Sequence, residues 1–137
     1  MDLPFFFAFT YLLPFSVYHV IQGFVSVFFS DFAIKFNESL YGFKPKETEQ
    51  LKMTFKPWGS LAFAIGIVGF VILSNLDKYF LFLIPLAILL AFRAGYRFLY
   101  KGELRSYWKV SSIQNWRMIL IQILGIVVFT IFTISRL

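Results

Sequence analysis

Four long apolar runs, separated by three polar stretches, divide the chain. A helix needs about 20 predominantly apolar residues to cross a bilayer. The runs at about 4–30, 57–76, 79–100 and 116–134 meet that length. The pattern predicts an all-α polytopic membrane protein: a four-transmembrane-helix antiparallel bundle in a single integral membrane domain, 1–137. The first run opens MDLPFFF, with neither a basic segment nor the small-x-small cleavage site of a signal peptide, and so reads as a span. Pro14 and Pro85 are expected to bend their helices, and Pro57 to sit in a first turn, where its missing N–H is harmless.

The polar stretches differ in kind. Residues 31–56 form the largest, with five lysines among their charges; within it Tyr41–Pro45 reads as a turn, and 46–55 as a short surface helix with Leu51 and Phe55 toward lipid. Asn75–Lys78 is a tight connection that predicts spans two and three as antiparallel neighbours. Residues 101–115 predict a second interfacial segment, with Leu104, Tyr107, Trp108 and Val110 between charges.

Two spans carry stripes of small or polar residues at helical spacing. On the first they are Ser16, His19, Gly23, Ser26 and Ser30; on the second, Gly59, Ala62, Gly66 and Gly69. Small residues let helix backbones approach closely inside a membrane. The second stripe is therefore a packing surface, for another helix of this chain, a homo-oligomer or a membrane-protein partner.

Composition sharpens this picture. Charged residues are 15% of the chain against about 25% in soluble domains, and the mean hydropathy is +0.75. No cysteine is present, so thiol chemistry and disulfides are excluded. The formal charge of +6 does not call for nucleic acid, because the basic residues are distributed as a topology signal. Eleven of the 13 lysines and arginines fall in loops one and three or the adjoining helix ends; Lys78 and Arg136 are the other two. Cytoplasmic loops carry such an excess. Both long loops are expected in the cytoplasm and both termini outside, in a plasma or inner membrane.

The third span, YFLFLIPLAILLAFRAGYRFLYK, ends in Arg93, Tyr96, Arg97 and Tyr100 at helical spacing. A charge within a span is costly and has a partner or a task. At about 1.5 Å per residue, Arg93 lies roughly 9 Å below the helix end, and Gln122 reaches a similar depth on the fourth span. His19 and Gln22 on the first span and Trp58 on the second fall in the same half of the bilayer. These predict a cytoplasmic-side pocket lined by His19, Gln22, Trp58, Arg93, Tyr96, Arg97 and Gln122. Arg97 has a plainer role open to it, as an anchor reaching the headgroups, and the glutamines as interhelical contacts. All seven acidic residues lie outside the spans or at their ends. That argues against proton-coupled transport, and one histidine without cysteine argues against a metal or haem site. No catalytic residue, cofactor or metal is assigned.

The segment Arg97–Glu103, RFLYKGE, loosely resembles the Arg/Tyr-rich run, followed by glycine, that ends the third span in the MAPEG family of glutathione-linked membrane enzymes. The second span, PWGSLAFAIGIVGFVIL, lacks that family's polar fingerprint. DoxX-like small membrane proteins are similar in size and span count. The expected function is binding of a membrane lipid or anionic amphiphile, or an accessory-subunit role. The alternatives are a MAPEG-like enzyme, with Arg93 and Arg97 holding an anionic co-substrate, and an oligomeric channel.

Overall fold

The computed structural model describes residues 2–42 and 48–137. Among these the regular elements are all helical: α1 (Leu3–Phe28), α2 (Ser30–Tyr41), α3 (Glu49–Ser74), α4 (Leu83–Leu99, after a single 3₁₀ turn at Phe80–Phe82), α5 (Lys101–Trp108) and α6 (Ser112–Ser135). Four segments are long and apolar enough to cross a membrane: α1, α3, the 3₁₀ turn with α4, and α6.

Caps set several boundaries. The Asp2 carboxylate accepts from the Phe5 N–H at 2.9 Å, and Pro4 in the first turn has no N–H to leave unpaired. Thr48 caps α3 through Leu51 N–H, and Ser111 caps α6 through Gln114 N–H. Gly42, at φ 72°, ends α2 in the left-handed region that glycine enters without a Cβ penalty. The remainder of the expected turn, 43–45, lies outside the described residues.

Three sequence expectations are corrected. First, the surface helix expected at 46–55 is not separate from the second span: from Glu49 onward it is one helix, and Pro57 lies in its interior. Proline there removes one bond of the backbone ladder, which can bend a helix without ending it. Second, Pro85 falls in the first turn of α4, where no intrahelical donor is required. Third, α3 and α4 share no extended packed face, although a short turn joins them. A tight turn fixes only the distance between two helix ends; complementary faces decide the rest.

Those faces belong to α1 and α3. A Cβ built on Gly59 would lie 2.6 Å from the Ser26 Cβ, and one on Gly66 would lie 2.6 Å from the Val20 backbone nitrogen. Gly69 meets Ser16, and Gly23 meets the backbone of Gly59 and Phe63. As α1 advances from Ser16 to Gly23, its contacts on α3 recede from Gly69 to Gly59, so the pair runs in opposite senses. The two small-residue stripes are thus mated within the chain, with Ala62 left beside a cavity.

α1 also packs on α6, and α6 on α4, giving a row α3–α1–α6–α4. Tyr11 spans the α1–α6 joint: its hydroxyl donates to the Ile121 carbonyl at 2.9 Å, and its ring meets Phe129 edge-on at 5.3 Å. The fully apolar core is confined to one half of the bundle, where Ala8, Leu12, Ile72, Leu76, Leu83, Leu86, Leu90, Phe129 and Phe132 are buried together. That half is closed by Arg136, which reaches Asp77 at 2.6 Å and Asp2 at 2.7 Å and lies over the Phe132 ring. Both ends of the described chain and the α3–α4 turn therefore meet at one end of the bundle.

Candidate ligand cavity

The other half of the bundle holds a polar cavity, whereas a second cavity of similar volume, between α4 and α6 in the closed half, is lined almost wholly by apolar side chains. The polar cavity, of about 340 Å³, is lined by residues of all six helices. It occupies the gap that packing of α3 on α4 would have filled. All seven residues singled out from the sequence line it: His19, Gln22, Trp58, Arg93, Tyr96, Arg97 and Gln122. They differ greatly in setting. His19, Gln22, Arg97 and Gln122 are buried, Arg93 is partly buried, and Trp58 and Tyr96 are exposed. The last two form a rim rather than a floor.

Sequence reasoning left out Tyr18, Ser26, Asn37, Phe55, Gly59, Ala62 and Leu104, which also line the cavity. Tyr18 and Ser26 sit four residues either side of Gln22 and share its helical face, a signal that was legible. Asn37 required recognising α2, hidden in the most polar stretch. Its apolar residues Ala33, Phe36, Ile34 and Leu40 do recur at helical spacing.

Arg93 is anchored by α1. Its Nη1 donates to His19 Nε2 at 3.0 Å, while His19 Nδ1 donates to the Phe15 carbonyl at 2.7 Å. A carbonyl only accepts and a guanidinium only donates, so the two neighbours together fix the neutral tautomer with hydrogen on Nδ1. The Phe15 ring lies tilted against the imidazole, with centroids 4.1 Å apart. The charge of Arg93 is thus oriented by a neutral group, not cancelled.

Arg97 is engaged differently, and more deeply, at 7% exposure. Its Nη1 donates to Asn115 Oδ1 at 3.1 Å, and Asn115 Nδ2 donates back to the Arg97 carbonyl at 3.1 Å. This reciprocal pair staples α4 to the first turn of α6. The snorkelling anchor expected for Arg97 is therefore corrected. The sequence reading placed Asn115 in a loop; in fact Ser111 starts α6 early enough to carry Asn115 on its inner face.

Gln22 donates to Ser26 Oγ at 3.1 Å, within its own helix. Its Oε1, and that of Gln122, are buried with no hydrogen-bond partner among the described residues. Among the described residues no carboxylate lines the cavity; Asp31 and Glu49 are occupied outside it by Lys52, at 2.8 and 3.1 Å. A further bond, Arg117 Nη2 to the Leu40 carbonyl at 2.9 Å, ties α2 to α6 at this end. Among the described residues no group of histidine and acidic side chains could hold a metal ion. Comparison with known protein families, curated proteins and solved structures finds no match to this chain.

Proposed function

We propose that this is a small integral membrane protein that binds an amphiphile with an anionic head in the cavity around Arg93. Its four long helices cross the bilayer in alternating directions as an antiparallel bundle. α2 and α5 lie at the surface beside the cavity. The excess of basic residues at that end supports a cytoplasmic opening, and Arg136, by joining Asp2 to Asp77, supports placing both termini on the opposite side.

The observation that carries the reading is the Arg93 guanidinium. It is partly buried, and its one hydrogen bond among the described residues goes to a neutral imidazole. Placing an arginine within a span costs about 3 kcal/mol on insertion scales. A hydrogen bond to a charged group returns about 1.5–3 kcal/mol, so His19 can offset desolvation while leaving the charge open. An anion 4 Å away would add about 4 kcal/mol at an effective dielectric near 20. The rim residues Trp58 and Tyr96 suit the apolar part of the ligand. A channel needs a polar path through both leaflets, whereas Leu12, Leu90 and Phe129 fill the far half of this bundle.

Native mass spectrometry of gently solubilised protein tests the proposal. Arg93→Gln is expected to retain at least tenfold less anionic lipid than the unaltered chain at equal helix content. Equal retention would overturn it.

A further inference from the structure

Where the cavity opens bears on what can enter it. α3 and α4 stand at the two ends of the helix row and share no extended packed face, yet both line the cavity. The row therefore curls around it and leaves one flank unclosed. Trp58 on α3 and Tyr96 on α4 stand exposed at that flank. At about 1.5 Å per residue, both lie about 24 Å from the closed end, and Ala62 and Arg93, which also line the cavity, about 18–20 Å from it. A hydrocarbon core is about 30 Å thick, so the mouth lies at the depth of the bilayer and not above it. At the end of the bundle the cavity is roofed instead: α2 and α5 each turn a buried residue onto it, Asn37 and Leu104.

We infer, resting on the binding function proposed above, that the cavity is loaded sideways from the membrane: a phospholipid with an anionic head enters between α3 and α4, its phosphate reaches Arg93, and its acyl chains stay in the bilayer beside Trp58 and Tyr96. Size agrees with a head group alone. A cavity of about 340 Å³ stands at the low end of small-molecule pockets, about 300–1,000 Å³, and leaves no room for acyl chains. The rim agrees as well: Trp and Tyr rings have an apolar body and a polar tip, and settle where chains give way to head groups. A free phosphate offers Arg93 the same charge, but it would have to arrive through apolar membrane or past α2 and α5.

The test is quenching of tryptophan fluorescence in the full chain by lipids brominated along their acyl chains. The chain has three tryptophans, Trp58, Trp108 and Trp116. Trp108→Phe with Trp116→Phe leaves Trp58 as the emitter. Trp58→Phe with Trp108→Phe leaves Trp116, which stands at the same end of the bundle but does not line the cavity. Each is reconstituted into phosphatidylcholine vesicles in which a minor fraction, either phosphatidylglycerol or phosphatidylcholine, is brominated. At Trp58 the brominated phosphatidylglycerol should quench at about a tenfold lower fraction than brominated phosphatidylcholine, equivalent to about 1.4 kcal/mol. At Trp116 the two should quench alike, and Arg93→Gln should abolish the preference at Trp58. Equal preference at both tryptophans, or a preference at Trp58 that survives Arg93→Gln, would overturn sideways entry in favour of general attraction to the basic surface. No preference at Trp58, with retention of anionic lipid still dependent on Arg93, would overturn it and leave the anion site standing; loss of both would remove the binding function too. The unaltered chain decides the matter even if the tryptophan variants fold poorly. Displacement of its retained phosphatidylglycerol by millimolar glycerol phosphate, followed by native mass spectrometry, would assign entry from water, and no displacement supports entry from the membrane.

Discussion

The two ends of the bundle hold arginines in opposite ways. At the closed end Arg136 meets two carboxylates, Asp2 and Asp77, above a continuous apolar core. At the hollow end Arg93 faces a cavity lined by no carboxylate among the described residues, and its hydrogen bond among them runs to His19. The difference separates two uses of a cation. One neutralised by its own chain at an exposed surface joins segments. One held in a cavity by neutral dipoles keeps its charge directed inward, where an anion can use it. Within that end the two arginines divide: Arg97 is locked to α6 by a reciprocal pair, whereas Arg93 has one neutral support among the described residues.

The contrast breaks outright if the two ends lie on the same side of the membrane. A cysteine at Lys78, beside the Arg136 cluster, should label with an impermeant thiol reagent in intact cells. One at Lys109, at the cavity end, should be shielded until the membrane is opened. Labelling of both, or the reverse pattern, would overturn the orientation.

The next largest effect concerns the seam between α1 and α3, which runs through both halves. Gly66→Leu forces a side chain against the Val20 backbone, a contact that cannot yield cheaply. Overpacking costs about 1–3 kcal/mol or more, so melting in detergent should fall by several degrees. Val68→Leu, on an exposed face, should leave it nearly unchanged. Equal melting of the two variants would mean that the seam does not hold the bundle.

A smaller and more pointed test compares the two arginines. Arg97→Gln should lower the melting point by an amount equivalent to about 1–3 kcal/mol, because the buried Asn115 Oδ1 loses its donor while Nδ2 keeps the Arg97 carbonyl. Arg93→Gln should barely move it, while carrying the loss of anionic lipid. Reversed profiles would exchange their roles.

The smallest effect belongs to the closed end. The Asp2 carboxyl is held below its ordinary value of 3.8, first by the hydrogen bond from Arg136 and then by the Phe5 N–H. A carboxyl depressed in the folded state contributes stability above its unfolded value and loses it as pH falls through the folded one. Asp2→Asn should therefore melt slightly lower than the unaltered chain at pH 7, and the gap should close only below about pH 3.8. High salt should also narrow it, since exposed ion pairs are screened. A gap that persists in acid would assign the loss to the helix cap alone.

Much of this was written in periodicity. Apolar run length alone predicts four spans, because a bilayer core demands about 20 apolar residues from any helix that crosses it. Spacing of three and four predicts the two small-residue stripes and the shared depth of His19, Gln22, Arg93 and Gln122, because both depth and facing follow from the helical repeat. Pairing across helices does not follow from it. Which stripe meets which depends on the fit of whole surfaces, and so the α3–α1–α6–α4 row and the gap beside it appear only in the tertiary structure. The same holds for Arg97. Its neighbours along the chain suggest a headgroup anchor; the arrival of Asn115 on a helix that begins at Ser112 makes it a staple between α4 and α6. Composition fixed the solvent of this protein, and periodicity the faces of its helices, since both are local. The support of Arg93 by the neutral His19 joins two helices far apart in the chain, and so only the folded arrangement could supply it.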